Sequence, residues 1–272
     1  MKKKLKIGIA GCGAIGRGVG FFLDKELNTA TRISCLYDTA VENSLSLKGN
    51  LINSKPAICC DIQSLVKKSD LVIESASWNI IKPLLTQIIK HKKNLVVLSI
   101  GGLLQNKNLL AKAKKKKVNI YLPSGAICGV DGVLASSCGK IRRCVLTTAK
   151  PPEGLKNVEY LKKKKINLRN ISKETVVFKG TPQRAFKFFP KNINVASTLV
   201  LASDFKDLKV IIKINPKLKR NTHQILLDSN IGKITVSVEN LPSGENPKTS
   251  TLAIASTKAL IKKLCSPLKI GT

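Results

Sequence analysis

The sequence predicts an α/β fold in two parts. The first is a doubly wound parallel sheet with helices on both faces. The second is an α+β domain, a mixed sheet with helices on one face. Three observations carry this. From residue 5 to about 122, strand-like runs that are apolar almost throughout alternate with helical patterns, the signature of strands buried on both faces. A glycine-rich turn, Gly11-Cys12-Gly13-Ala14-Ile15-Gly16, follows the first strand and opens the first helix. After Pro123 the alternation stops and strand-like runs cluster, which is α+β character. The division is set at residues 1–122 and 123–272.

Each element has a local reason. Residues 5–10 (Leu-Lys-Ile-Gly-Ile-Ala) read as a buried strand, followed after the glycines by a helix to about Leu23. Thr31–Tyr37 is a second strand, ending at Asp38, and a helix over 40–48 follows. Ala57–Cys60 is a short strand, with a helix near 62–68. Asp70–Ser75 is a third clear strand, and helix covers 79–91. Asn94–Ile100 is fully apolar and is expected to be a strand closed by Gly101-Gly102. Lys107–Lys116 is a helix with a basic outer face, and Val118–Leu122 a last short strand.

In the second part, Ser124–Gly129 is a small-residue loop opening a helix, and strands are expected over 141–148, 174–179, 208–214, 223–228 and 232–239. Asn230-Ile231-Gly232 reads as a hairpin turn. One helix starts at Thr181-Pro182 and another at Asn246-Pro247, each with a capping side chain before a proline. The second runs over 247–264 and is able to pack back on the first domain. Lys114–Lys117 and Lys162–Lys165 read as solvated turns.

The 272 residues carry 48 Lys+Arg against 16 Asp+Glu, a net charge of +32. Such a field attracts polyanions. However, 41 of the cations are Lys and only 7 Arg, whereas Arg is the preferred residue for bidentate phosphate and base contacts. Aromatics are 4% of the chain, few for stacking bases. The surplus therefore reads as a Lys-coated surface, with no specific nucleic-acid partner. The hydrophobic fraction, 43%, excludes a disordered basic tail. No apolar run reaches the roughly 18 residues of a membrane span. The eight cysteines include no C-x-x-C pair and the chain has two histidines, so no metal site is expected. Most cysteines sit in strand-like apolar runs, which fits a reducing cytoplasm. Lys2-Lys3-Lys4 with Ile9-Ala10-Gly11-Cys12 imitates a lipoprotein signal, but the apolar stretch is too short for one.

The glycine turn is the Rossmann dinucleotide fingerprint. Gly11, Gly13 and Gly16 fit G-x-G-x-x-G between a strand and a helix, and Asp38 ends the next strand. Gly11 permits the tight turn, Gly13 the close approach of a pyrophosphate, and Gly16 the packing of helix on strand. With Ala14 and Ile15 they present the helix N-terminus to the phosphates. Asp38 can accept from the adenosine ribose, and its charge disfavours a 2′-phosphate. NAD is therefore expected, with NADP also possible. His91, at the end of a helix, reads as solvated and without a role. His223, at the mouth of a strand, is the side chain best suited to proton transfer near neutrality.

Five segments, taken together, resemble the L-aspartate dehydrogenase family. They are Ser124-Gly125-Ala126-Ile127-x-Gly129-x-Asp131-Gly132; Leu146-Thr147-Thr148-x-Lys150-Pro151-Pro152; Phe189-Pro190-Lys191-Asn192-Ile193-Asn194-Val195-Ala196; Asn221-x-His223; and Glu245-Asn246-Pro247-Lys248-Thr249-Ser250. The resemblance implies NAD(P)-dependent oxidation of L-aspartate to iminoaspartate, which hydrolyses to oxaloacetate and ammonia, as the first step of NAD biosynthesis. It implies that His223 is catalytic and that Ala126 and Asn194 contact the cofactor on its nicotinamide side. The chain departs from the family at Ala149, where an Arg is usual, and in its Lys-rich 153–170 stretch. Lys191, Asn192 and Lys248 lie in the motif loops and are expected to bind the substrate carboxylates, in a cleft between the domains. A homodimer through an exposed second-domain sheet is expected. Two other readings compete: a two-domain dehydrogenase of another amino acid or a semialdehyde, and a nucleotide-sensing regulator that binds nucleic acid.

Overall fold

The computed structural model describes residues 4–190, 193–246 and 249–272. The chain forms two compact units. The first comprises residues up to Gly125 together with Ile254–Lys269, and the second Ala126–Ala253 with Ile270–Thr272.

In the first unit the elements run β1 (Leu5–Ala10), α1 (Ala14–Glu26), β2 (Thr31–Tyr37), α2 (Val41–Gly49), β3 (Ala57–Ile58), α3 (Ile62–Lys67), β4 (Leu71–Glu74), a 3-10 turn (Trp78–Ile80) leading into α4 (Ile81–His91), β5 (Asn94–Val97), α5 (Ile100–Leu104), α6 (Lys107–Lys115) and β6 (Ile120–Tyr121). The sheet order is β3-β2-β1-β4-β5-β6, and every pairing is parallel. The predicted doubly wound architecture is thus present. The strand order reverses between β1 and β4, the switch point at which open α/β sheets bind ligands.

The apolar runs become strands because both faces are covered. Ile7, Ile9, Ile33, Leu36, Ile73 and Val96 are all at most 3% exposed, and burying each such side chain contributes about 1.5–3 kcal/mol. Ile261 joins this cluster with no exposed surface.

One expected boundary is wrong. β5 stops at Val97, and Gly101 and Gly102 lie inside α5 rather than closing a strand. The Glu74 carboxylate takes the Leu98 and Ser99 amides, at 3.2 and 2.8 Å, and so ends the ladder. Gly102 is required in the helix because a Cβ there would lie 2.6 Å from the Ile81 side chain. The strands expected over 57–60 and 118–122 shrink to Ala57–Ile58 and Ile120–Tyr121.

The second unit contains α7 (Val130–Ser137), β7 (Ile141–Lys150), a 3-10 turn (Pro152–Leu155), α8 (Glu159–Lys163), a second 3-10 turn (Leu168–Asn170), β8 (Thr175–Gly180), α9 (Pro182–Phe188), α10 (Asn194–Ser203), β9 (Lys209–Ile214), β10 (Asn221–Ser229) and β11 (Lys233–Asn240). Its sheet order is β11-β10-β7-β9-β8. β7 and β9 are parallel and the other pairs antiparallel, so the sheet is mixed, as expected. One face carries Cys144, Leu146, Ile212, Ile225 and Leu227, packed with Val133, Ala185 and Leu199 of the helices. The opposite face presents Arg143, Gln224 and Val176 to solvent.

Thr181 caps α9 by accepting from the Arg184 amide, with Pro182 at the first helical position, as its sequence predicts. α10 was not anticipated. Its Asn-Val-Ala-Ser-Thr-Leu-Val start has no polar face to mark it, because the helix is buried. The last helix, α11, runs Thr251–Cys265 and does not begin at Asn246-Pro247. The Ser243 amide donates to the Thr249 carbonyl and the Thr251 amide to that of Leu241, so residues 249–251 are committed to a pairing that helix would break. Ser250 supplies the cap instead, accepting from the Ala253 amide at 3.1 Å. Pro247 lies outside the described residues. Among the described residues no helix is long and apolar enough to cross a membrane.

Candidate active site

In the first unit, Gly11, Gly13, Ala14, Ile15, Gly16 and Asp38 come together at the switch point. Gly11 has φ +94°, and a Cβ on it would lie 2.6 Å from the Ala76 amide nitrogen. A Cβ on Gly16 would collide with the Gly11 carbonyl oxygen. These two glycines are demanded by the protein itself. Gly13 differs: a Cβ there would meet nothing within 4 Å. Its freedom serves no packing among the described residues. The Ser75 hydroxyl donates to the Gly11 carbonyl at 2.7 Å and pins the turn to the end of β4.

Gly13 caps α1 with no side-chain hydrogen bond, and the first turn holds no acidic residue. The helix therefore offers uncapped amides and the positive end of its dipole, which suits an anion. Asp38 accepts from the Cys12 amide (2.7 Å) through Oδ2, and from the Ala40 amide (3.0 Å) and Asn43 Nδ2 (3.4 Å) through Oδ1. A carboxylate has about four acceptor positions, so capacity remains for a ribose hydroxyl. Open space at Gly13, an uncapped helix start and a fixed carboxylate fit a nicotinamide dinucleotide.

Glu74 was missed. It is fully buried at the end of β4, where it accepts from the Ala76 amide and from the Ser99 hydroxyl and amide at 2.8–2.9 Å. Burial raises its carboxyl above the usual range, against the pull of those donors. It ties the ends of β4 and β5 together beside the glycine turn.

The second unit holds the other residues. His223 lies on β10 and is 7% exposed. Its cross-strand partners are Thr148 of β7 and Val238 of β11. Nδ1 is 2.9 Å from the Thr148 hydroxyl oxygen. Burial, with the Lys150 charge second, pushes the imidazole down to about 3. Lys150 is two residues beyond Thr148 on the same face of β7, and burial lowers its ammonium to about 8.

Two residues along β11 from Val238, on that same face, Asn240 donates from Nδ2 to the Ala126 carbonyl at 3.0 Å. Gly129 lets the following loop lie on β11, since a Cβ there would be 2.7 Å from the Val236 side chain. His223, Lys150, Asn240 and Ala126 thus gather at one end of the sheet. Asn194 is exposed at the start of α10. Lys191, Asn192 and Lys248 lie outside the described residues. His91 is half-buried at the end of α4 rather than solvated, and its Nε2 is buried with no hydrogen-bond partner among the described residues.

Thr148, Lys150 and Asn240 went unassigned in the sequence. The i, i+2 spacing of Thr148 and Lys150 places both on one strand face. The register that sets them opposite His223 is not local information.

Comparison with known proteins agrees along the whole chain. The aspartate dehydrogenase C-terminal domain family matches residues 131–264. The homoserine dehydrogenase NAD binding domain family matches residues 11–123. The L-aspartate dehydrogenase of Methanosarcina mazei is 40% identical over 98% of this chain and 100% of that protein. That of Nitrosopumilus maritimus is 38% identical over 98% of this chain and 99% of its own length. The crystal structure of aspartate dehydrogenase from Thermotoga maritima superposes with a TM-score of 0.77 at 25% identity, covering 99% of this chain and 100% of that one. Full-length identity at this level, on a sheet whose switch point is shaped for a dinucleotide, establishes that the chain belongs to the L-aspartate dehydrogenase family and is an NAD(P)-dependent aspartate dehydrogenase.

Proposed function

We propose that His223 performs the proton transfer in the oxidation of L-aspartate to iminoaspartate, with NAD preferred over NADP. The observation that carries this reading is the His223–Thr148 pair: a buried imidazole, held through Nδ1 at 2.9 Å and neutral at pH 7. The cofactor supplies a hydride acceptor. The chain must orient the substrate and take a proton, because the amine has to be neutral for the imine to form. Neutral His223 can accept that proton, or take one from the water that attacks the imine. Its basicity is low in the resting protein. A dianionic substrate beside it raises that basicity, since an anion favours the charged imidazolium. The Asp38 carboxylate supports NAD, because it repels a 2′-phosphate.

Ala126 and Asn194 are assigned to the nicotinamide side of the cofactor, and Lys191, Asn192 and Lys248 to the substrate carboxylates, on the motif resemblance. On this reading the cofactor-binding part is residues 1–122 and the catalytic part 123–272. We place the reaction at the entry to NAD biosynthesis, in the cytoplasm, where the buried free thiols of Cys12, Cys35, Cys59 and Cys144 stay reduced. The open face of the second sheet supports a homodimer.

The test is direct. Purified protein with L-aspartate and NAD⁺ should generate reduced cofactor, with NADP⁺ slower and alanine and glutamate inert. His223→Ala should lower kcat by about 10²–10⁴-fold while NAD⁺ still binds. Absence of turnover with L-aspartate, or a His223→Ala enzyme of near-normal kcat, overturns the assignment.

A further inference from the structure

We propose that Lys150 binds a carboxylate of the substrate directly, beside His223. The inference rests on the reading of His223 as the proton-transfer residue and extends it to a group that no motif assigned. Four features place Lys150 there. It follows Thr148 by two residues on β7, so both side chains leave the sheet on the face that carries His223. Its partner on β9 is Ile214, which belongs to that same buried face. Its aliphatic stem is fitted to the 3-10 turn: a Cβ on Gly154 would lie 3.4 Å from the stem and 3.4 Å from Asn221 Oδ1. Finally, among the described residues it is the cation whose charge acts on the imidazole.

A positive charge beside a buried general base is a poor arrangement for the base alone. It adds to the burial that depresses the imidazole, and burial depresses Lys150 itself, to about 8. The arrangement becomes favourable when an anion enters. A carboxylate seated on the ammonium favours its charged form and holds Lys150 protonated. It also offsets the Lys150 charge, which stands second to burial in lowering His223, so the imidazole is a stronger base with substrate bound than without it. Lys150 thereby links recognition of the acid to readiness of the base.

Steady-state kinetics and calorimetry on the intact enzyme test this. Lys150→Met should raise the KM for L-aspartate by about 30-fold or more, the loss seen when one partner of a desolvated charge pair is removed. Lys150→Arg should recover most of it. NAD⁺ affinity and thermal unfolding temperature should match wild type in both variants. Succinate, a non-reacting four-carbon dicarboxylate, should bind wild type and lose affinity in Lys150→Met by a similar factor. His223→Ala should show the opposite split, a fallen kcat with succinate binding retained. An unchanged KM and unchanged succinate affinity in Lys150→Met overturn the Lys150 assignment while leaving that of His223 intact. Failure of wild type to oxidise L-aspartate overturns the His223 reading instead, and succinate binding then decides Lys150 separately. Failure of wild type to bind succinate overturns Lys150 as well.

Discussion

Burial makes His223 a neutral group, and the Thr148 hydroxyl decides which ring nitrogen is engaged. That combination has a thermodynamic sign. The folded imidazole titrates near 3 and the unfolded one near 6.5. Between those values the unfolded chain binds the extra proton, so stability rises with pH across the window and is lost on acidification below 6.5. The unfolding temperature of wild type should therefore fall as the pH drops from 6.5 to 5. His223→Gln should fall less steeply over the same interval. Equal slopes for the two proteins in calorimetric scans would show that His223 is not held neutral by its site. The side chain was noticeable in the sequence because few residues exchange protons near neutrality. Its partners were not, since Thr148 and Lys150 meet it only through a cross-strand register that apolar patterning does not reveal.

At the scale of elements, the strand–turn–helix unit β1–α1 separates two kinds of glycine. Gly16→Ala would drive a methyl into the Gly11 carbonyl and should unfold the turn, lowering the unfolding temperature. Gly13→Ala meets nothing within 4 Å and should leave stability unchanged. Its methyl would occupy the space offered to the pyrophosphate, and overpacking of about 1–3 kcal/mol weakens NAD⁺ binding about tenfold or more. Fluorescence titration of NAD⁺, run beside thermal melts, separates the two; intact affinity in Gly13→Ala would show that the space is not used. This unit was readable in the sequence because its steric demands are local. The end of β5 was not, since the residue that ends it, Glu74, lies on another strand. Nor was the start of α11, where Asn246-Pro247 mimics a helix cap while the backbone beyond is engaged with residues 241–243.

At the scale of the molecule, the two-part α/β and α+β architecture follows from where the apolar runs alternate and where they cluster, and the structure agrees. The sheet of the second unit leaves Leu226 36% and Val176 53% exposed on its helix-free face. In register with Leu226 lie Val145 and then Lys209. A homodimer pairing this face should be broken by Leu226→Arg, which adds a cation beside Lys209 and Arg143. Light scattering should record a halved mass. A dimer that survives the change would mean that the contact lies elsewhere.

Ile261 completes the core around Ile7 and Ile9, and this sets an order of events at the ribosome. The cofactor-binding unit is made first, yet it emerges with a gap in its interior that only α11 can fill. Until residue 261 is released, that unit is a nascent intermediate with an exposed apolar seam, open to chaperones and to self-association. Native closure waits on one of the longest-range contacts in the chain, so folding of the half synthesised first is completed last.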